Sequence, residues 1–187
     1  MLNKVLAVVI VLAVVAIAYF VSLPEPGSKV DEFNGVAIYY NGHVDNDFGR
    51  NVAPDGYNIG KKYQCVEFIK RYYYEYYNHK MPESYGHAKD YFNMRLRDGE
   101  FNAERGLVQY TNPSKSRPMV GDIIVMKGKY GHVGIVSFVA NNAIEMAQQN
   151  TRTSRRQMHL TYHAGDGTWE INNSRVFGWL RLENNRQ

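Results

Sequence analysis

The apolar and polar positions change rhythm along the chain. Residues 5–23 form an unbroken run without charge, in which Ser22 is the one clearly polar member. At ~1.5 Å per helical residue, such a run matches the ~30 Å hydrocarbon core of a bilayer. A stretch apolar on every face suits a membrane better than the surface of a globular domain. Lys4 precedes the run, while Glu25, Asp31 and Glu32 follow it. That bias places the N-terminus in the cytoplasm and the remainder outside. The small-x-small triplet Ala16-Ile17-Ala18 leaves a second reading, a secretory signal cleaved there. The run continues past Ala18, which favours an uncleaved anchor, and both readings give the same compartment. Pro24-Glu25-Pro26-Gly27-Ser28 has linker composition. The expected organisation is a transmembrane or signal helix at 1–23, a linker at 24–30 and one folded domain at 31–187.

Within that domain the period alternates between helix and strand. Residues 35–42 read as a short strand closed by an Asn41-Gly42 turn, and 43–58 as a long polar loop. From 63 to 78 the pattern is helical, with Val66, Ile69, Tyr73 and Tyr76 on one stripe. Glu67 with Lys70 or Arg71 reads as an exposed helix pair, and the neighbouring tyrosines as core and rim packing. Asn78-His79 and Pro82 end the helix. A short helix is predicted within 84–96, then a polar, irregular stretch to 116. Strands follow at 123–126, 131–139, 143–148, 157–163 and 176–182. Helices first and sequential strands afterwards predict an α+β fold with a mostly antiparallel sheet.

Composition narrows the chemistry. Apolar residues make up 44% of the chain, which marks a globular domain rather than a disordered one. The net charge of +4 is spread along the chain, densest at Arg152, Arg155 and Arg156. It reads as a solvated basic surface, or as attraction to an anionic polymer such as a bacterial envelope. No nucleic-acid-binding motif is present. A single cysteine, Cys65, excludes an internal disulfide and a multi-cysteine metal site. Asp45-Asn46-Asp47 has alternating oxygen ligands but does not continue as an EF-hand loop, so it reads as a solvated turn. His159 and His163 have the spacing of two helical zinc ligands, yet their segment reads as a strand. No metal or organic cofactor is expected.

Cys65 stands where a glycine-containing turn runs into the predicted helix. Unpaired N–H groups and the positive end of the helix dipole favour a thiolate there. The alternative is an inert buried thiol. A thiol nucleophile needs a base, and the base needs a third group to orient it. Among six histidines, only His132 opens a strongly apolar strand directly after a glycine-containing turn. One hairpin later, alternation puts Met146, Gln148 and Asn150 on one face, so Gln148 or Asn150 is the candidate orienting group. Glu145 and Gln149 are expected to point the other way.

These segments, taken together, resemble a known family. Tyr63-Gln64-Cys65-Val66-Glu67-Phe68, Gly86-His87-Ala88 with Tyr91, Gly121-Asp122-Ile123-Ile124-Val125, Gly131-His132-Val133-Gly134-Ile135-Val136, Ala147-Gln148-Gln149-Asn150 and Gly178-Trp179 follow the CHAP pattern in order and spacing. CHAP domains are cysteine, histidine-dependent amidohydrolases and peptidases. The likeness is close to the amidase-domain pattern of glutathionylspermidine synthetase/amidase. It implies a papain-like (NlpC/P60-like) cysteine hydrolase fold, with N-terminal helices packed on a mostly antiparallel sheet. It also implies Cys65 as nucleophile, His132 as base and Asn150 as a further polar residue of the site. Gln148 stands where the family commonly has glutamate; a neutral amide can orient an imidazole but cannot support an imidazolium by charge. The implied chemistry is acyl transfer through a thiolate–imidazolium pair, with the Cys65 N–H and the Gln64 side chain as oxyanion donors. The implied substrate for an exported enzyme is peptidoglycan, cut at the muramoyl–alanine amide or in the stem or cross-bridge. The alternatives are a small glutathionylspermidine-like amide and a non-catalytic, membrane-anchored wall-binding module.

Overall fold

The structure, a computed structural model, describes residues 2–21 and 23–183, and the side chains of 4–15 and 23–183 among them. Helix α1 (Leu2–Val21) precedes two small hairpins, β1 (Lys29–Phe33) with β2 (Val36–Tyr39) and β3 (Arg50–Val52) with β4 (Asn58–Lys61). Helix α2 (Cys65–Tyr77) and a 3-10 turn at Ala88–Tyr91 follow. The remaining strands are β5 (Glu100–Asn102), β6 (Leu107–Thr111), β7 (Ile123–Met126), β8 (His132–Val139), β9 (Ala143–Ala147), β10 (Arg155–His163), β11 (Thr168–Ile171) and β12 (Val176–Arg181). They form one eight-stranded antiparallel sheet in the order β11-β10-β9-β8-β7-β12-β6-β5.

Strand alternation buries both faces of this sheet. Ile123, Val125, Val133, Ile135 and Leu180 pack with Phe68, Ile69, Tyr72 and Tyr73 of α2. Ile124, Met126, Val136, Met146 and Trp179 form a second core with Met158, Leu160 and Ile171. Each such buried side chain contributes roughly 1.5–3 kcal/mol, so the α2–sheet contact dominates any surface ion pair in holding the helix in place. Helix α2 ends at Asn78, whose left-handed φ of 51° lets its N–H reach the Tyr73 carbonyl. Gly121, at φ 94°, carries the turn into β7; a Cβ there would meet the Tyr77 hydroxyl at 2.1 Å. The next residue, Asp122, is buried, accepts from Met119 N–H and pairs with Arg181 at 2.7 Å, which ties that turn to β12.

The architecture corrects the expected fold class. The protein is mostly antiparallel sheet, and the described residues hold only two α-helices, of which α2 packs on the sheet. The helix expected within 84–96 is a single 3-10 turn, Ala88–Tyr91. The stretch read as irregular to 116 contains β5 and β6, and the loop read at 43–58 contains β3. The cause in β5 and β6 is visible: Asn102 and Gln109 occupy core positions and bond each other at 3.1 Å, so polar letters conceal buried strand sites. The apolar N-terminal span is corrected as well. Among the described residues no helix is long and apolar enough to cross a membrane. The side chains of the Ala16-Ile17-Ala18 cleavage triplet lie outside the described residues.

Candidate active site

Three chain segments meet at one end of the sheet: the start of α2, the start of β8 and the end of β9. Tyr63, at a left-handed φ of 66°, turns the chain before Gln64 enters extended geometry and α2 begins at Cys65. An aromatic residue in that region is strained, and its ring is held between Tyr39 and Phe48, both at 5.4 Å. The Cys65 side chain is partly accessible and packs against the α2-side core. Burial pushes its thiol above the usual range, while the backbone N–H groups of Val133, Val66 and Cys65 itself face the sulfur and oppose the shift. The Cys65 sulfur therefore lies at the backbone of the residue that follows His132.

His132 opens β8 immediately after Gly131, whose φ is 75°. A Cβ on Gly131 would stand 2.5 Å from the Lys89 nitrogen, so the 3-10 turn presses directly on the turn that delivers the histidine. Gln148 follows the end of β9 and is buried. Its Nε2 donates to the Thr153 carbonyl at 3.0 Å, which fixes the amide with Oε1 toward the ring. His132 Nε2 then donates to Gln148 Oε1 at 3.0 Å. This bond selects the tautomer that carries its proton on Nε2 and leaves Nδ1 free to accept one. Desolvation lowers the His132 pKa to about 4; the Gln148 bond opposes this, and the charges of Arg156 and Arg175 add to it. Burial thus acts on both groups toward their neutral forms, where the sequence implies an ion pair.

Of the two orienting candidates, Gln148 meets the histidine and Asn150 does not. Asn150 has a left-handed φ of 62°, which breaks strand alternation and turns its side chain to the 41–46 loop. It accepts from Asn41 Nδ2 at 2.9 Å and donates to the Val44 carbonyl at 3.1 Å and to Gln64 Oε1 at 2.5 Å. Gln64 in turn donates through Nε2 to the carbonyls of Asn46 at 2.9 Å and Val44 at 3.2 Å. A substrate oxygen would have to displace one of those carbonyls to use Gln64 as a donor. In this arrangement Gln64 and Asn150 brace the loop beside Cys65.

Three further residues support the site from below. Gln149, which points away from Gln148, is buried and donates to the Gln64 carbonyl at 3.0 Å and to Glu67 Oε2 at 2.8 Å. Its Oε1 accepts from Tyr39 N–H at 2.8 Å. Glu67 also accepts from Arg71 Nε at 2.7 Å and from Asn51 Nδ2 at 2.8 Å. The Glu67–Arg71 pair read as exposed is thus a buried ion pair, with side chains 2% and 7% accessible. Lys70 is buried too; its amine donates to the Asn58 and Ser84 carbonyls, and burial, with the Arg105 and Arg50 charges, lowers its pKa to about 8. The spacing of Glu67 and Arg71 signalled a pair. Its burial follows from β2 and β4 packing on α2 in addition to β8, which no helical stripe reveals.

The other candidates occupy separate places. Asp47 pairs with Lys61 at 2.5 Å and accepts from Gly49 N–H, while Asp45 is exposed beside His43. His159 and His163 both lie on β10, and His163 bonds Glu170 at 2.8 Å. Among the described residues no group of three or more His, Cys, Asp or Glu side chains is arranged to hold a metal.

Comparison with known proteins agrees with this geometry. The CHAP domain family profile matches residues 54–150, a little over half of the chain, and that stretch includes Cys65, His132 and Gln148. The chain is 26% identical over 167 residues to a trypanothione synthetase of Crithidia fasciculata, covering 81% of this chain and 25% of that protein. It is 26% identical over 170 residues to the bifunctional glutathionylspermidine synthetase/amidase of Escherichia coli strain K12, covering 78% of this chain and 27% of that one. The chain thus spans about a quarter of the length of these curated relatives.

Proposed function

The chain belongs to the CHAP-domain family and is a cysteine- and histidine-dependent amide hydrolase, and from that premise we propose that it cleaves an amide bond in the peptide part of peptidoglycan. The reaction is written from a neutral thiol and a neutral imidazole, the forms that burial favours. As the substrate carbonyl approaches, His132 Nδ1 takes the Cys65 proton and the sulfur attacks the carbonyl carbon. The developing oxyanion is met by backbone N–H groups at the start of α2. The imidazolium, held by Gln148 through Nε2, gives its new proton to the leaving nitrogen, the C–N bond breaks and a thioester remains. Water then attacks the thioester, His132 takes its proton, and the acid departs as the thiol is restored.

One observation carries the choice of substrate. Arg156 and Arg175 both act electrostatically on His132, and among the described residues neither guanidinium pairs with a carboxylate. The Arg175 guanidinium donates, among the described residues, to the Lys127 carbonyl alone, at 3.2 and 3.3 Å. Guanidinium groups that have no carboxylate partner and act on His132 favour an acidic substrate, and wall stem peptides carry free carboxylates. A substrate of that kind would put the domain outside the cytoplasmic membrane. The relatives favour a second reading, a glutathionylspermidine-like amide. A polyamine conjugate brings positive charge to the same two arginines, which weighs against it.

The test is digestion of purified peptidoglycan by the full chain, beside Cys65→Ala. Mass spectrometry of the products should show a new amine or N-terminus with the parent protein only. Release of free polyamine from glutathionylspermidine, with the wall left intact, would favour the second reading. Wall binding equal in both proteins, without cleavage of either substrate, would reduce the domain to a binding module.

A further inference from the structure

The segment that joins α2 to the 3-10 turn, residues 78–87, lies in neither helix nor strand, so no ladder serves its carbonyls. Buried cations serve several of them instead. Arg105, in the turn between β5 and β6, is 1% exposed. Its Nη1 donates to the Glu83 carbonyl at 2.8 Å and to the Tyr85 carbonyl at 3.4 Å, and its Nη2 to the Asp90 carbonyl at 3.0 Å. Lys70 of α2 takes the carbonyl of Ser84, at 2.8 Å. The Arg105 guanidinium also lies 4.3 Å from the Tyr91 ring centroid. Its polar contacts are thus backbone carbonyls, and a buried cation without a counter-ion is costly to keep. What a guanidinium offers over an ammonium is a rigid fork that gathers several acceptors at once.

The backbone gathered by that fork lies against the base. Asp90 is within the 3-10 turn, and Lys89 N–H of the same turn donates to the Tyr130 carbonyl at 3.1 Å. Tyr130 stands two residues before His132. On the intervening Gly131 a Cβ would meet the Lys89 nitrogen at 2.5 Å, so the turn and the loop have no slack between them. The rings of His87 and Tyr130 add a second contact, at 4.8 Å between centroids. In the sheet order β8-β7-β12-β6-β5 the base opens β8, while the hairpin that carries Arg105 stands at the edge. The path Arg105, Asp90, Lys89, Tyr130 spans that separation through bonds of 3.0 and 3.1 Å.

We propose that Arg105 is a positioning residue for His132: by holding the carbonyls of Glu83, Tyr85 and Asp90 it sets the turn that sets the histidine. Its effect on the reaction passes through Lys89 and Tyr130, and it touches no reacting atom. The proposal rests on His132 being the base, and its test includes a reading that needs no substrate.

The experiment compares Arg105→Gln and Arg105→Lys with the parent in the full chain. Two-dimensional NMR follows the titration of each histidine ring, and steady-state rates give kcat and KM. In Arg105→Gln the His132 pKa should move up from about 4 by about one unit, as a displaced ring regains solvent. The charges acting on His132 are those of Arg156 and Arg175, so the shift reports a moved ring and not a lost charge. His159 and His163, on β10, should titrate as in the parent. Amide hydrolysis should lose about 10- to 100-fold in kcat, with KM changed by less than about threefold. Arg105→Lys keeps the charge without the fork and should fall between the two; it decides the matter if Arg105→Gln does not fold. A lowered thermal midpoint with the His132 titration and kcat unchanged would make Arg105 a structural residue and overturn the proposal. A shift of His159 and His163 together with His132 overturns it as well, because the fold would then have loosened generally. If the parent protein cleaves neither peptidoglycan nor a small amide, the histidine titrations still decide the role of Arg105.

Discussion

His132 Nε2 donates to Gln148 Oε1 at 3.0 Å, and the same amide is locked by its own donation to the Thr153 carbonyl. The amide therefore orients the imidazole without supporting its positive charge. Gln148→Glu should raise the His132 pKa from about 4, because a carboxylate favours the imidazolium. The acid limb of the kcat/KM profile should move to higher pH accordingly. The variant also sets a carboxylate against the Thr153 carbonyl, at a cost of about 1–3 kcal/mol in stability. Gln148→Ala removes the bond altogether and should reduce kcat by about 10²-fold or more. Steady-state rates across pH 4–9, beside urea unfolding, check both variants.

Stability should also carry the imprint of His132. Its folded pKa, about 4, lies below the ordinary histidine value near 6.5, so the unfolded chain binds the proton more readily over that interval. Stability conferred by keeping this ring neutral is fully present above pH 6.5 and is lost as pH falls toward 4. The part belonging to His132 is on the order of 3 kcal/mol. The difference in unfolding free energy between parent and His132→Gln, measured at several pH values, should shrink over that interval. A difference that stays constant with pH would show that the ring titrates normally in the folded protein.

The residues proposed to do chemistry are more legible in the sequence than the scaffold that aligns them. Cys65 was marked by being alone and by its place at a helix start, and His132 by the glycine turn and apolar strand around it. Period-two alternation separated Gln148 from Gln149 correctly and misplaced Asn150, because a left-handed residue at a strand's end follows no alternation. The strands with continuous apolar runs, β7 and β8, were plain. Those with polar core residues were not, since Asn102 and Gln109 satisfy each other only once β5 and β6 are paired. The same limit applies to Glu67, whose burial is produced by chain segments far away in sequence. A long apolar N-terminal run reads as a span, whereas among the described residues no helix is long and apolar enough to cross a membrane.

Glu67, Arg71 and Gln149 tie the start of α2 to the end of β9, and so fix Cys65 relative to Gln148. Glu67→Leu leaves the Arg71 guanidinium buried, with only a long contact to Gln149 Oε1 at 3.4 Å and the Tyr39 and Phe68 rings. Such an uncompensated charge costs about 3–5 kcal/mol. The double variant Glu67→Leu with Arg71→Met should recover most of that loss in urea unfolding. It should not recover kcat, because Gln149 would still lack the carboxylate that aligns it. Full recovery of both would show the ion pair to be packing alone.

The two arginines around His132 give the reading of the substrate its sharpest consequence. Arg156→Gln and Arg175→Gln should each raise KM for an acidic stem-peptide substrate by about 3- to 10-fold, since each removes one unpaired charge near the site. A neutral amide of the same length should lose little. Both variants should also move the acid limb of kcat/KM upward, because both guanidinium groups hold the His132 pKa down. Added salt should weaken the preference for the acidic substrate in the parent and have less effect in the variants. Parallel KM measurements on the two substrates at low and high ionic strength separate recognition from simple pKa tuning: tuning alone would change both substrates equally.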